Sequence, residues 1–290
     1  MRLRRIHCRL RDSVFFGRGL FAVAIAAFES PGTVTFYARR NRILGFEVTL
    51  VGMTPVDLLV VGPHPDDIEI GFAGTVAAHA AQGYRVGLCD LTRGELGSNG
   101  TPEQRGEEAE AAREVLGAAW RINLRWPDGA IAGTDPQVAD VVRLIRATRP
   151  RTLALPYWDD RHPDHRGSSR VLGAAAFTAG LRRFKVEGAG EPWRPEWTCY
   201  YFINDATEPS FALDVSAFYD LKRRALACYR SQFAPADPDS VPTRLTASSF
   251  LSMVESRDAL LGARTGVAYA EGVLVRDPLL RPHLMKDWRA

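Results

Sequence analysis

Apolar residues along this chain recur with two alternating spacings, one typical of buried strands and one typical of helices. From Met53 onward, short continuous apolar runs are followed by longer segments in which apolar residues return at helical spacing. In the segment Asp135–Thr148 these residues are Val138, Val141, Val142 and Ile145. Strands that alternate with helices in this order predict an α/β fold, a Rossmann-like, mostly parallel sheet with helices on both faces.

The same spacing predicts the bounds of the individual elements. Strands are expected over Asp57–Gly62, Arg85–Leu91, Arg121–Leu124, Thr152–Leu155 and Trp197–Ile203. Helices are expected over Ala73–Gln82, from Thr101 to near Gly117, and over Asp135–Thr148, Ser168–Arg182 and Val215–Arg230. Thr101 is expected to cap its helix, because Pro102 follows at the first helical position and an acidic residue comes next. The C-terminal part of the chain carries no pattern clear enough to assign.

Residues 1–52 differ in composition from the rest of the chain. Arginines crowd this segment, and its apolar stretch from Val14 to Phe28 is interrupted by Arg18. A basic start before an apolar stretch is typical of a signal peptide, but the interruption and the lack of a small-residue cleavage site argue against one. We therefore expect residues 1–52 to be an N-terminal extension outside the fold, and residues 53–290 to form the fold. A signal or membrane-surface segment is the alternative.

Composition narrows the class of protein without identifying it. The 290 residues are 46% hydrophobic and 24% charged with a net charge of +3, as in an ordinary soluble globular protein. No basic stripe with interleaved aromatic residues is present, so we expect no nucleic-acid partner. We also expect no membrane partner, because the apolar stretch from Val14 to Phe28 is too short and interrupted to span a bilayer. The cysteines lie far apart and form no CxxC pair, which favours a reducing, cytoplasmic setting. They are Cys8, Cys89, Cys199 and Cys228.

Two polar tetrapeptides each follow a predicted buried strand. His64-Pro65-Asp66-Asp67 comes after the first strand, and His162-Pro163-Asp164-His165 comes soon after the fourth. Parallel strands deliver the residues at their carboxyl ends to one edge of the sheet, where open α/β folds place their chemistry. Adjacent carboxylates repel each other, and this repulsion raises the free energy of the fold. A bound cation beside them, or a proton-transfer role for one of them, explains why they stand together with an imidazole. A single HPDD string would be interpreted more readily as a turn with a helix cap, but the pair predicts a mononuclear metal site at this edge.

Longer strings around these tetrapeptides carry a family resemblance. The string Gly62–Gly71, with His162–His165 downstream, resembles the zinc-dependent N-acetylglucosaminyl deacetylases of the PIG-L/LmbE family. Further strings are similar to the bacillithiol-pathway branch, which removes acetyl from N-acetylglucosaminyl malate: Cys89–Thr92, Ser98–Thr101, Asp160–His165, Ser231–Phe233 and Tyr269–Gly272. The resemblance runs from about Val56 to the C-terminus and makes residues 53–290 the deacetylase domain. Pro63 departs from the family, where a small residue is usual, and should stiffen the loop without removing a ligand.

The resemblance implies a metal-ligand set of His64, Asp67 and His165. Two imidazoles and one carboxylate suit catalytic zinc, which keeps an open position beside its protein ligands. The same set fits ferrous iron, so the metal is zinc with Fe²⁺ as the alternative. Glu69 is a further candidate ligand. The favoured interpretation is that Glu69 is an acidic residue at the start of a helix, or that it supports the ligands from behind.

Roles for the remaining polar residues follow from the same resemblance. Asp66, which the ligand count does not require, is expected to act as general base and then general acid. His162 stands three residues before His165 and is expected to face the carbonyl oxygen, with Asp164 holding its imidazole protonated and oriented. The family match adds Arg105 as a second cation that reaches the substrate. Two simpler interpretations stay open: Asp164 as only a helix cap, and Arg105 as a solvated helix residue.

The leading hypothesis is hydrolysis of the acetamido group of a small amino-sugar conjugate, N-acetylglucosaminyl malate, to glucosaminyl malate and acetate. Malate carries carboxylates, so cations should lie near it, and Arg93, Arg105 and Arg161 are close to the motifs in sequence. Deacetylation of an inositol-linked conjugate or an antibiotic intermediate is the alternative. A nucleotide-binding module is disfavoured because Pro63 and His64 occupy a turn where a pyrophosphate needs glycines. A non-catalytic metal-binding protein would have no need of Asp66. The resemblance also implies a homo-oligomer.

Overall fold

The computed structural model describes residues 53–235 and 238–280. The expectation for residues 1–52 therefore lies outside the described part of the chain. Within that part, none of the helices is both long enough and apolar enough to cross a membrane.

A single mixed sheet forms the centre of the described structure. Its strands are β1 (Leu58–Gly62), β2 (Val86–Thr92), β3 (Trp120–Trp126), β4 (Thr152–Pro156), β5 (Trp197–Tyr201), β6 (Phe211–Asp214) and β7 (Ala270–Leu274). They lie in the order β3-β2-β1-β4-β5-β7-β6. The first five strands along the chain are parallel to one another, whereas β7 pairs antiparallel with both β5 and β6. The predicted mostly parallel α/β fold is confirmed.

Helices cover both faces of this sheet. They are α1 (Asp67–Ala81), α2 (Pro102–Leu116), α3 (Asp135–Thr148), α4 (Pro163–Ala179), α5 (Tyr219–Cys228), α6 (Arg230–Phe233) and α7 (Ser248–Thr265). Side chains of β1 alternate between two cores: Leu58 and Val60 pack with α1, α2, α5 and α7, while Leu59 and Val61 pack with α3 and α4. Such alternation buries both faces of a parallel strand, which explains its continuous apolar run.

Two predicted helices begin earlier than their apolar spacing indicated. Helix α1 starts at Asp67 and not at Ala73, and α4 starts at Pro163 and not at Ser168. Every residue of α1 from Asp67 to Ala78 is buried, so this helix has no polar face and no amphipathic period to detect. The first turn of α4 carries the polar residues of the second tetrapeptide, which interrupt an apolar pattern in the same way.

Elsewhere the capping residues and apolar spacing predicted the helices accurately. The remaining difference lies where the backbone leaves helical geometry. Helix α3 has the predicted bounds, and the Thr101 side chain caps α2 by accepting from the Gln104 N–H at 3.1 Å. The single helix predicted over Val215–Arg230 is divided into a 3₁₀ turn, α5 and α6, with Tyr229 outside helical geometry between the last two. Strand β7 enters the sheet antiparallel between β5 and β6, a pairing that no local pattern specifies.

Candidate metal and catalytic site

Neighbouring strands bring the two tetrapeptides to one edge of the sheet. Strands β1 and β4 pair in parallel, so their carboxyl ends point the same way. The chain leaves β1 at Gly62 and enters α1 at Asp67, with Asp66 as the residue before the helix. After β4 it turns into α4, and His162 occupies the N-cap position of that helix. Residues that lie far apart in sequence thereby face each other across the end of the sheet.

His64, Asp67 and His165 lie together and are all buried. The Oδ2 atom of Asp67 is 2.9 Å from Nδ1 of His64 and 3.3 Å from Nε2 of His165. One ligand atom from each residue lies within 4.8 Å of the others. Two imidazoles and a carboxylate converging in this way match the protein ligands of a mononuclear catalytic metal site.

Each of these histidines has a carboxylate behind its other ring nitrogen. Asp128 Oδ1 is 3.1 Å from Nε2 of His64, and Asp160 Oδ1 is 3.0 Å from Nδ1 of His165. Carboxylates in this position fix the orientation and tautomer of ligand histidines. Burial opposes their ionisation, but the adjacent imidazoles hold the pKa of both carboxyls below the ordinary range.

The electrostatics of this cluster favour a positive charge. Burial lowers the pKa of His165, yet Asp67 and Asp160 outweigh it and raise that pKa to about 9. The pKa of His64 is also raised despite burial, by hydrogen bonds to Asp128, Asp164 and Asp67. Excess negative charge around two imidazoles is the environment that a divalent cation neutralises.

Asp66 lies beside the ligand cluster in a strained backbone conformation. Its φ of 113° is one that residues other than glycine rarely adopt, and such strain is often found at functional sites. Burial raises the pKa of Asp66 to about 7, although the charge of Arg105 opposes this shift. A carboxyl group with a pKa near neutrality is suited to both accepting and returning a proton.

Arg105 is buried at the same site, so its interpretation as a solvated helix residue is wrong. It is 4% exposed, and its Nη2 donates to Oδ2 of Asp66 at 3.1 Å. Its Nη1 donates to the carbonyl of Gly94 at 3.1 Å. Arg105 lines the site cavity, but its immediate partner there is the carboxylate of Asp66.

His162 and Asp164 are arranged differently from the expectation. The carboxylate of Asp164 accepts from the backbone N–H of Gly129 at 2.8 Å and that of Ile131 at 3.3 Å, and it lies 3.4 Å from Nε2 of His64. Nδ1 of His162 accepts from the backbone N–H of Asp164 at 3.2 Å. Burial and the nearby histidines lower the pKa of His162. The expected contact between the Asp164 carboxylate and His162 is not among the hydrogen bonds of the described residues: His162 is oriented by a backbone group, and its pKa lies below the ordinary value.

The cluster lies in a cavity of about 620 Å³. His162 and Arg105 line it, together with Arg161 and Arg244. Arg93 does not belong to this lining; it lies near Glu103 at 3.9 Å, facing a different cavity. The sequence did not single out Arg244, because this residue falls in the C-terminal segment that lacked a clear pattern.

The sequence analysis also did not predict Asp128 and Asp160 as residues of this cluster. Asp160 belongs to the string Asp160–His165, so its proximity to two histidines was an available signal. Asp128 follows β3 and is 64 residues from His64, and nothing in its local sequence connects them. Only the parallel arrangement of β3, β2 and β1 brings these segments to the same edge.

The fold and the ligand geometry define an α/β protein with a candidate mononuclear metal site at the carboxyl edge of its sheet. A family model described as "PIG-L: GlcNAc-PI de-N-acetylase" matches residues 59–176. The chain is 30% identical over 244 residues to 1D-myo-inositol 2-acetamido-2-deoxy-alpha-D-glucopyranoside deacetylase 2 of Saccharopolyspora erythraea, covering 64% of this chain and 86% of that protein. The chain belongs to the PIG-L family.

Two further proteins are similar to this chain. Diacetylchitobiose deacetylase of Thermococcus kodakarensis is 29% identical over 191 residues, covering 61% of this chain and 70% of that protein. The solved structure of the conserved protein TT1542 from Thermus thermophilus superposes with a TM-score of 0.72 at 39% identity, covering 80% of this chain and 99% of that one.

Proposed function

We propose that this protein is a metal-dependent hydrolase that removes the acetyl group from an N-acetylglucosamine conjugate. The observation that carries the proposal is the convergence of His64, Asp67 and His165, whose ligand atoms lie within 4.8 Å of one another. Asp66 stands next to this cluster without being needed as a ligand. Family membership supports the same reaction class, since the Thermococcus and Saccharopolyspora relatives are both named as deacetylases.

Zinc is the metal that we propose, with ferrous iron as the alternative. His64, Asp67 and His165 would hold it, and the carboxylates of Asp128 and Asp160 would orient the two imidazoles. When bound, such a metal supplies Lewis acidity that polarises an amide carbonyl and acidifies water.

The other polar residues of the cavity are assigned complementary tasks. Asp66 accepts the proton of the attacking water and later returns it to the departing amine, and Arg105 holds its carboxylate in place at 3.1 Å. Nδ1 of His162 accepts a backbone hydrogen bond, so the neutral ring carries its proton on Nε2. That N–H is available to stabilise the negative charge that develops on the carbonyl oxygen. The carboxylate of Asp164 acts on His64 and on the loop after β3.

For the substrate we propose N-acetylglucosaminyl malate, as in the bacillithiol branch. Arg161 and Arg244 both line the cavity, and guanidinium groups bind carboxylates with defined geometry. Arg244 is held by the Asn204 side chain at 3.1 Å, which restricts where its charge lies. The inositol-linked conjugate is the second candidate, because the Saccharopolyspora relative is named for it.

Acetate release from three substrates tests this proposal: N-acetylglucosaminyl malate, its inositol counterpart and diacetylchitobiose. We expect the malate conjugate to be hydrolysed with a kcat/KM about tenfold or more above the other two. Arg244→Ala should raise KM for the malate conjugate while leaving simple N-acetylglucosamine nearly unaffected. Arg93→Ala, outside the cavity lining, is the matched control. Equal efficiency on malate and inositol conjugates would refute the malate assignment and leave the deacetylase assignment intact.

The metal-dependent reaction has its own test. His165→Ala should lose bound metal and acetate release together, because one of three ligands is removed. Full metal content and turnover in that variant would overturn the proposed site.

We further infer that residues 53–290 form the deacetylase domain, that the protein works in the cytoplasm and that it assembles as a homo-oligomer. The family resemblance, which begins near Val56, supports the domain bounds. Scattered cysteines support the reducing compartment. Sedimentation of the purified chain measures the subunit number directly.

A further inference from the structure

Residues 238–247, between α6 and α7, supply one wall of the candidate site, and we refer to them as the wall segment. The wall segment contains turns but neither helix nor strand. Its residues Thr243, Arg244 and Leu245 line the site cavity. Backbone that belongs to no helix or sheet needs side chains from other elements to pair with its polar groups. The contacts that hold the wall segment therefore decide where Arg244 lies.

The side chain of Asn99 holds the wall segment by pairing with both backbone groups of Val241. Its Nδ2 donates to the carbonyl oxygen of Val241 at 2.9 Å, and its Oδ1 accepts from the Val241 N–H at 2.8 Å. Two such bonds to one residue are the pattern of an antiparallel pair of residues, here with a side chain in place of one strand. Asn99 is 8% exposed, whereas Val241 is 51% exposed, so the contact depends on the backbone of Val241 and not on its side chain.

The loop that carries Asn99 is itself fixed to α6 and α2. Nε2 of Gln232 donates to the carbonyl oxygen of Asn99 at 2.8 Å. The adjacent Ser231 is bonded to the carboxylate of Glu108 on α2, through its N–H at 2.8 Å and its hydroxyl at 2.6 Å. Gly100 has a φ of 73°, and a Cβ there would lie 2.6 Å from Oγ of Ser231, so only glycine allows this close approach. Asn99 therefore connects the wall segment to a buried hydrogen-bond network.

A compact turn within the wall segment carries Arg244 to the cavity. The N–H of Thr243 donates to the hydroxyl of Thr246 at 2.8 Å, and that hydroxyl donates to the carbonyl of Thr243 at 3.0 Å. The guanidinium of Arg244 donates to Oδ1 of Asn204 at 3.1 Å and lies 5.4 Å from the ring centroid of Phe250. The far end of this side chain is thus placed by residues outside the wall segment, while its backbone is placed through the contact with Asn99.

We propose that Asn99 is a positioning residue that sets the affinity of the site for a substrate with an anionic group, because it holds the wall segment and Arg244 against the cavity. This inference rests on the proposed function, which assigns Arg244 to the carboxylates of the substrate. Without Asn99 the wall segment loses two backbone hydrogen bonds, and substrate binding must then include the cost of ordering it. The acetamide reacts at the metal cluster, so kcat and metal content should change little.

Hydrogen exchange of the Val241 N–H, measured by mass spectrometry on the full chain, tests this contact without turnover. In Asn99→Ala this N–H should exchange about tenfold faster or more, since its acceptor is removed. Asn99→Asp should also exchange faster, because a carboxylate oxygen then faces the Val241 carbonyl. Asn123→Ala is the matched control: Asn123 also pairs with two backbone groups, the carbonyl of Thr92 and the N–H of Arg125, but lies outside the cavity lining. Unchanged exchange of Val241 in both Asn99 variants would overturn the proposal.

Acetate release from N-acetylglucosaminyl malate and from N-acetylglucosamine tests the effect on the substrate. In Asn99→Ala the KM for the malate conjugate should rise about three- to tenfold, with kcat within about twofold, while the KM for N-acetylglucosamine should not change. In an Arg244→Ala background, Asn99→Ala should raise KM no further, because the group that it positions is already absent. Asn123→Ala should leave both KM values unaltered.

Two kinetic results would overturn the proposal. An equal rise in KM for both substrates would mean that Asn99 contacts the sugar directly, and full additivity of Asn99→Ala with Arg244→Ala would mean that Asn99 acts independently of this arginine. A wild-type protein that releases acetate from neither substrate would contradict the proposed function alone, since the exchange comparison reads the contact with Val241 without turnover. Circular dichroism and metal content verify the fold of each variant, and Asn99→Asp supplies the same comparisons if Asn99→Ala does not fold.

Discussion

Replacement of Lys222 by Met should destabilise the fold strongly, because this lysine is fully buried between two acidic residues. Its Nζ lies 2.7 Å from Oδ2 of Asp258 and 2.7 Å from Oε1 of Glu271, and the residue is 0% exposed. Glu271 also accepts the backbone N–H groups of Gly74 at 3.0 Å and Thr75 at 2.8 Å. The lysine therefore neutralises the carboxylate that holds the middle of α1.

The expected loss of folding free energy follows from the carboxylate charge that Lys222→Met leaves without its partner. Asp258 keeps Arg257 at 3.0 Å, whereas Glu271 keeps only the backbone donors of α1 among its described hydrogen bonds. Loss of one partner of a buried ion pair typically costs about 3–5 kcal/mol. A matched control is Arg223→Met on the same helix, where Arg223 pairs with Glu255 at 2.7 Å but is 42% exposed at its side chain. Exposed pairs contribute about 0–1 kcal/mol each, and Arg223 makes a second such pair with Asp220 at 2.7 Å, so the control should lose less stability than Lys222→Met.

The pH dependence of Lys222→Met has a definite sign. Burial opposes the charge of Asp258, yet Lys222 and Arg257 hold its pKa below the ordinary value. In the wild type this carboxylate contributes stability that is present above the unfolded-state pKa near 4 and is lost as the pH falls through the folded-state pKa. Without Lys222, Arg257 alone of these two cations opposes the effect of burial, so the folded-state pKa of Asp258 rises relative to the wild type. The stability difference between variant and wild type should therefore be largest near pH 8 and should shrink toward pH 5.

Urea unfolding followed by circular dichroism, at equal metal content, measures these free energies. If Lys222→Met loses no more stability than Arg223→Met, or if the loss is the same at pH 5 and pH 8, the reasoning about uncompensated buried charge is refuted.

Three further predictions concern the candidate site and the domain bounds. Asp66→Asn should keep its metal and lose about two to four orders of magnitude in kcat for acetate release; near-normal turnover would assign the proton transfer to another group. Asp160→Asn should weaken zinc affinity about 10- to 100-fold in a chelator competition, whereas Asp159→Asn, at an exposed neighbouring position, should not. A chain that begins at Met53 should be soluble, metal-loaded and active; aggregation would mean that residues 1–52 belong to the fold.

The sequence by itself was sufficient for features that depend on local interactions. The bounds of α3 and the Thr101 cap of α2 were predicted correctly, since helical spacing and capping act within a few residues. The two HP-containing tetrapeptides were also placed correctly at strand ends. Apolar runs of this kind specify parallel strands, and parallel strands share one carboxyl edge.

Tertiary structure decided which polar groups pair with one another. Asp128 reaches His64, and Arg105 turns inward to Asp66, only because the strand order brings separate loops to one edge. The pairing of Lys222 with Glu271 likewise depends on the insertion of β7 into the sheet. The spacing of apolar residues predicts which side of a helix or strand is buried. The residue that pairs with a buried charge comes from a segment distant in sequence, so local spacing does not predict it. For this reason the proximity of the two tetrapeptides was predictable from their positions after buried strands, whereas the pairing of Asp128 with His64 was not.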